Sequence, residues 1–474
     1  MLFSGIPFLF YFLPLVLVIY FAVPRGGKNA VLLLSSLFFY GWGEPKFLFF
    51  MLAAILQGYL LAILIEKAKR EYPGGKRSKV FLAASVALSL GLLGYCKYAD
   101  FFITNFNALT GLSLPLLKIA LPIGISFYTF QIMSYVVDVY RGEVKAQRSL
   151  IDFGAYVAFF PQLIAGPIVR YADIEADLKD RRHTVEGTAA GVRRFGIGLG
   201  KKVLLANQLA ELAAHFNAAE EKSLLFYWLY AAATMLYIYF DFSGYSDMAI
   251  GLGRIFGFRF PENFNYPYIS GSITEFWRRW HMTLGGWFRD YLYIPLGGNR
   301  RGKGRRLFNI FIVWAATGLW HGAAWNFAAW GLMFAVLLML EKLWLPDVLQ
   351  NKMFGLGVLR HVYVLVAVAV SFVLFDAADM AAAADIIIAM FGGAGVPAVD
   401  ELSLYYLQSY GLILLLAVVG ATPVPARIVA DLGRKKAMAP LMAVAEPLFV
   451  LGLLVVCTAF LIDGSFNPFL YFRF

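Results

Sequence analysis

Charge is scarce in this 474-residue chain: Lys, Arg, Asp and Glu make up 15% of it against 60% hydrophobic residues, where soluble domains carry about a quarter charged residues. With a mean hydropathy of +0.68, that shortage excludes an ordinary soluble domain and implies a polytopic membrane protein. Cysteine is almost missing. Cys96 and Cys457 both stand in apolar stretches, which excludes a disulfide framework and a cysteine-ligated metal. Histidine is sparse too, at 183, 215, 281, 321 and 361. No two stand at helical i, i+4 separation, so no zinc spacing exists and no metal is expected. A cleavable leader is also missing from the pattern: Met1 has no basic flank, and Phe8 to Val23 runs on without a small-residue cleavage motif, so the first segment is expected to stay.

What the chain has is apolar length. Runs near 7–23, 29–42, 46–66, 79–96, 116–137, 203–217, 224–250, 307–321, 325–345, 358–376, 404–421 and 440–462 approach the roughly 20 residues that span hydrocarbon, giving an all-α fold of about twelve spans. Basic clusters punctuate them, among them Lys67–Lys79, Arg170–Lys202, Arg254–Arg306 and Arg427–Lys436. The positive-inside rule makes these cytoplasmic and puts both termini outside. Because the clusters recur between apolar spans, as topology signals do, nucleic-acid binding is excluded.

Three stretches depart from plain spans. Leu121–Gln131 and Phe159–Arg170 carry Pro and Gly inside apolar sequence, and the second is expected to enter the membrane and return within a protein-lined cavity. Residues 254–306 are far too polar to span and rich in aromatics, Trp277, Trp280, Trp287, Tyr291 and Tyr293 among them. They read as amphipathic helices at the cytoplasmic interface, with rings at headgroup level and cations in water.

Two histidines sit where packing alone would not ask for them. His281 closes Phe276-Trp277-Arg278-Arg279-Trp280-His281, and His321 stands in Trp320-His321-Gly322. The run to His321 begins near Leu307, and fifteen residues at about 1.5 Å each carry it roughly 22 Å from the inner interface. An ionisable group kept at such depth marks a functional site. One histidine at the floor and one deep suit a group passed across the membrane.

At these residues the chain resembles the membrane-bound O-acyltransferase (MBOAT) family. The resemblance is carried by Trp277-Arg278-Arg279-Trp280-His281, by Trp287-Phe288-Arg289-Asp290-Tyr291-Leu292-Tyr293-Ile294-Pro295-Leu296-Gly297-Gly298, by Trp320-His321-Gly322, by Tyr239-Phe240-Asp241-Phe242-Ser243-Gly244-Tyr245-Ser246-Asp247, and by Phe466-Asn467-Pro468-Phe469-Leu470-Tyr471-Phe472-Arg473-Phe474, in that family's order along the whole chain. Thr283 stands where many members have serine.

The resemblance implies a single MBOAT transmembrane domain over 1–474, with re-entrant and interfacial helices around a central conduit, in a bacterial cytoplasmic (inner) membrane. It implies His321 as catalytic base and His281 as its partner. It further implies acetyl transfer from acetyl-CoA, through an extracytoplasmic SGNH-type acetyltransferase, to an exported polysaccharide such as alginate, or to peptidoglycan or another cell-wall polymer. Acyl transfer to a hydroxyl suits this reading, since histidine supplies a near-neutral base without a metal. Asn326, Trp320 and Trp325 lie near enough in sequence to supply an oxyanion donor. Arg300, Arg301, Arg305 and Arg306 read as a topology and headgroup patch, or as a dock for the phosphates of coenzyme A. Asp241, Ser243 and Tyr245, with Trp277 and Trp280, read as conduit lining or as a structural network. His183, His215 and His361 read as interfacial. Tyr471 in the aromatic terminus is either an acyl carrier acetylated on its phenolic oxygen or an interfacial anchor, and Tyr471→Phe separates the two. The rival class is a transporter without chemistry, which should show inverted repeats; none is visible.

Overall fold

The computed structural model describes residues 1, 3–343 and 354–463. Tyr471 and the aromatic terminus lie outside the described residues. The chain folds as two compact units, Met1–Phe195 with Met248–Pro261, and Gly196–Asp247 with Glu262 onward.

Apolar periodicity builds the first unit. After a π-helical turn at Phe8–Phe12, helices α1 (Leu13–Ala22) and α2 (Lys28–Gly41) lead into the long α3 (Phe47–Glu71) and α4 (Lys76–Thr110). On α3, Phe47, Met51, Ala54, Ile55, Gly58, Ala62 and Ile65 are buried, the i, i+3, i+4 stripe of one helix face. Phe49, Leu52, Leu56 and Leu60 stay exposed on the other side, as a lipid-facing surface must. Then come α5 (Ile125–Arg141), the short pair α6 (Leu150–Ala158) and α7 (Phe160–Leu163), α8 (Tyr171–Lys179) and α9 (Val185–Gly200, whose end from Gly196 belongs to the second unit).

The first two irregular stretches meet inside this unit. Gly124, at φ +74°, opens α5, and a Cβ there would lie 2.4 Å from the Leu163 carbonyl oxygen, so only glycine fits. Pro161 ends the run of α6 by removing a donor, and the freed backbone is not left bare. Phe160 N donates to Ser36 Oγ at 3.0 Å, Gln162 Nε2 to the Tyr156 carbonyl at 2.6 Å, and Tyr156 Oη to the Val169 carbonyl at 3.1 Å. Residues 153–169 are buried throughout, the condition under which broken backbone is tolerated at membrane depth.

The second unit contains a π-turn at Lys201–Ala206, then α10 (Asn207–Ala218), α11 (Leu224–Ile255, whose last turns belong to the first unit), α12 (Ile273–Arg279), α13 (Met282–Phe288), α14 (Gly302–His321), α15 (Trp325–Leu343), α16 (Phe354–Asp376), α17 (Met380–Met390), α18 (Glu401–Gly420), α19 (Val424–Arg434) and α20 (Ala439–Ile462). Helices α14 and α15 form a hairpin around two glycines. A Cβ on Gly318 would stand 2.5 Å from the Phe327 carbonyl oxygen, and one on Gly331 2.5 Å from that of Trp314. Small residues let membrane helices approach backbone to backbone where lipid offers no hydrophobic drive.

No strand occurs among the described residues, and seven of their helices, α3, α4, α11, α15, α16, α18 and α20, are long and apolar enough to cross a bilayer. The chain is an all-α, multi-pass membrane protein. Of the other apolar runs, 7–23 divides into a π-turn and α1, 203–217 divides into a π-turn and α10, and 307–321 lies in the unbroken 20-residue α14.

Candidate active site

His281 owes its position to side chains distant in sequence. The first turn of α12 is capped twice over: Ser272 Oγ accepts from Glu275 N at 3.0 Å, and the buried Glu341 of α15 accepts from Thr274 N at 2.8 Å and Thr274 Oγ1 at 2.6 Å. These satisfy the orphan donors of a helix start. The helix then stops. Trp280 becomes extended and His281 takes φ +43°, ψ +52°, a left-handed backbone that costs a non-glycine residue about 1–2 kcal/mol. Asn263 holds that turn. Its backbone carbonyl accepts from Met282 N at 3.0 Å, and its Oδ1 accepts from Thr283 Oγ1 at 2.9 Å and faces His281 Nδ1 at 3.1 Å. Its Nδ2 donates to Ser246 Oγ at 3.1 Å.

This network fixes the tautomer. An amide oxygen only accepts, so His281 Nδ1 carries the hydrogen and Nε2 the lone pair. The ring is 1% exposed, and Nε2 has no hydrogen-bond partner. Burial first, and the charge of His321 second, hold His281 well below its ordinary pKa of 6.5, because desolvation and a like charge both disfavour imidazolium.

His321 closes α14 and is buried. Its Nδ1 lies 2.8 Å from the Thr317 carbonyl oxygen, again an acceptor only, so here too Nε2 carries the lone pair of the neutral ring. The Trp320 ring stands between the two histidines, 6.1 Å from His281 and 5.0 Å from His321 between centroids. Trp330 lies 4.8 Å from His321, and Trp277 lies 4.5 Å from Trp314 and 5.7 Å from Trp330. Two donors in this cluster are orphans: Trp277 Nε1 and Trp330 Nε1 are buried with no partner. A buried donor left unmade costs about 1–3 kcal/mol, which invites a ligand explanation.

A cavity of about 560 Å³ opens beside the cluster, lined by His281, Trp277, Trp314 and Thr317 within, and by Arg278 and Arg289. Arg289 is paired with Asp290 at 2.6 Å. Apolar walls with a few convergent polar groups are the usual form of a small-molecule site.

The remaining sequence-predicted residues are placed unevenly. Trp280 is buried against Phe276, Phe264 and Phe372. It and Trp277 pack against other aromatic rings of this unit. Asn326 donates to the Ala377 carbonyl at 3.2 Å, and its Oδ1 is buried and unpartnered. Trp325 is 61% exposed, which leaves it a poor oxyanion donor. Asp241 forms a buried ion pair with Lys202, Ser243 Oγ is buried without a partner, and Tyr245 is buried. Arg300, Arg301 and Arg305 are exposed and Arg306 is half-buried; none of the four lines the cavity. Of the other histidines, His183 bonds to Tyr20 Oη at 3.1 Å, His215 stacks on Tyr406 at 5.0 Å, and His361 Nδ1 lies 3.0 Å from the Ser270 carbonyl oxygen. Sequence reasoning missed Asn263, Arg278, Arg289 and Trp330. Among the described residues no group of three or more His, Cys, Asp or Glu side chains stands together as a metal site.

Of the two buried, oriented histidines of this all-α membrane protein, His281 lines the aromatic cavity and His321 is not among its lining residues but packs on the Trp320 and Trp330 rings. The profile of the membrane-bound O-acyltransferase family matches residues 141–375, which include both histidines, and the chain belongs to that family. It is 39% identical over 505 aligned positions, spanning all of both chains, to the probable alginate O-acetylase AlgI of Azotobacter vinelandii. It is 42% identical to the probable alginate O-acetylase AlgI of Pseudomonas syringae over 82% of this chain and 75% of that one. To the peptidoglycan O-acetyltransferase of Helicobacter pylori it is 36% identical over 72% and 70%. The chain is a membrane O-acyltransferase and uses an acyl donor.

Proposed function

We propose that this O-acyltransferase moves an acetyl group from cytosolic acetyl-CoA across a bacterial cytoplasmic membrane for O-acetylation of an exported polysaccharide, alginate foremost, with both of its termini outside. The final transfer is made by an extracytoplasmic SGNH-type acetyltransferase of the AlgJ or AlgX kind. One observation carries the reading: two buried imidazoles flank Trp320, each with Nδ1 turned to an acceptor so that Nε2 offers its lone pair. His321 Nε2 takes the proton of the acceptor hydroxyl as its oxygen attacks the thioester carbonyl. The carbon–sulfur bond breaks, and the departing thiolate takes that proton from the His321 imidazolium to leave as the free thiol, which returns His321 to its neutral form. The developing oxyanion needs preorganised donors, and the orphan indole N–H groups of Trp277 and Trp330 supply that chemistry. His281, lining the cavity, orients the thioester. The phosphates of the donor meet Arg278 and Arg289, the cavity's own cations. Asp241 with Lys202, Ser243, Tyr245, Trp280 and Asn326 frame this core.

A cell-wall acceptor is favoured by one finding, the 36% identity to a peptidoglycan O-acetyltransferase. The test is release of free thiol from acetyl-CoA by the purified chain, with His321→Ala as the blank. Transport of acetyl-CoA without thiol release would overturn the enzyme mechanism, and acetylation of peptidoglycan fragments but not of alginate oligomers once the extracytoplasmic acetyltransferase is added would move the acceptor to the wall.

A further inference from the structure

The loop between the last two spans builds a second cavity that the acyl chemistry does not use. Helices α18 and α20 are almost wholly exposed apolar spans, so α19 between them lies at a membrane surface. Its sequence suits that place. Ile428, Leu432 and Val429 lie along one side, the first and last of them exposed, while Arg427, Asp431 and Arg434 lie along the other, with Val424 at the boundary; no residue of α19 is buried. A helix with this division rests in the headgroup plane, apolar side in the acyl chains.

The polar side of α19 lines a cavity of about 380 Å³, where Ala426, Arg427 and Ala430 face Asn265, Tyr266 and Arg279. Alanines at 426 and 430 leave the room, and two guanidinium groups from opposite walls supply the charge. Their states differ. Arg279 is committed, to Glu275 at 2.9 Å and to the Asn265 carbonyl at 3.2 Å. Arg427 makes no ion pair among the described residues, so its charge is uncompensated. Lys435 and Lys436 follow on the same connection, and basic groups beside a span collect anionic lipid.

We propose that this cavity binds the phosphodiester headgroup of an anionic phospholipid, with Arg427 as its principal contact and Arg279 as its second wall. The occupant is a lipid because the cavity opens along a helix whose other face is in the acyl chains. A lipid there braces the segment that holds His281: Asn265 N donates to the Arg279 carbonyl at 2.9 Å, two residues from the Asn263–Met282 bond.

The test uses the full chain in neutral detergent with equimolar phosphatidylglycerol and phosphatidylcholine, bound lipid being counted by native mass spectrometry. The wild type should retain phosphatidylglycerol preferentially. Arg427→Gln should lower its retention roughly fivefold, the effect of one cation at an anionic surface, with phosphatidylcholine unchanged, and Arg427→Lys should keep most of it. Arg434→Gln removes the same charge from the same helix, but Arg434 is paired with Asp431 and does not line the cavity, so retention should hold. Equal loss in Arg434→Gln, or no loss in Arg427→Gln, overturns the site. Displacement of the lipid by millimolar inorganic phosphate at constant ionic strength would overturn the lipid and leave an anion site for a soluble ligand. Because the readout is bound lipid, it stands or falls apart from the acyl-transfer mechanism.

Discussion

His281 and His321 present the same atom by opposite means. His321 is oriented by its own helix: the carbonyl four residues back takes Nδ1–H, and aromatic rings hold the plane. His281 sits on a strained turn between two short helices, and the hydrogen bond that sets its tautomer comes from Asn263, eighteen residues away, with Phe242 and Trp320 against the ring. A group set by regular secondary structure is robust to changes around it, whereas one set by a polar network fails with the weakest member of the network.

The largest break is expected at the robust end. His321→Ala should lower the acetyl-transfer rate about 10²–10⁴-fold while the protein still inserts, as checked by thiol release at matched membrane abundance; full activity would remove His321 from the chemistry. His281→Ala should cost less, about 10²-fold, with part of the loss in the donor KM.

The comparison sharpens at Asn263. Asn263→Leu strands the buried Nδ1–H and should cost roughly 1–3 kcal/mol, about five- to 150-fold in rate, whereas no side-chain substitution removes the Thr317 carbonyl that orients His321. The pH profile gives the same comparison a sign. A base that holds its proton weakly stays neutral to lower pH, so the His281 acid limb should fall below 6.5. Asn263→Asp sets a carboxylate against Nδ1, favours imidazolium and should raise that limb. A limb that does not move would assign it to another group. The smallest effect belongs to the cations. Arg278→Gln should raise the donor KM a few-fold, more at low salt than at high; the combined Gln variant of Arg300, Arg301, Arg305 and Arg306 should raise it less, and the reverse order would return that cluster to the donor's path.

These contrasts mark what the sequence could say. The membrane class followed from composition, and the rarity of ionisable groups among aromatics singled out His281 and His321, which the fold buries against aromatic rings. The broken backbone of Phe159–Arg170 followed from its prolines. Asn263 did not, because Asn in Pro-Glu-Asn-Phe-Asn-Tyr-Pro reads as turn chemistry and its partner stands beyond two irregular segments. Nor did the packing of Trp277 and Trp280 against other rings, since an indole has the same signature in an interfacial belt as in a core. The donor cations were sought in the dense Arg300–Arg306 run; Arg278, in the pair Arg278-Arg279, and Arg289 line the cavity instead and stand in aromatic sequence.

The close approach of Gly318 and Gly331 bears on how such a protein can move. With carbonyls and α-carbons already in contact, the α14–α15 hairpin has no slack to slide or splay, and His321 rides on it as a tooth on a fixed rack.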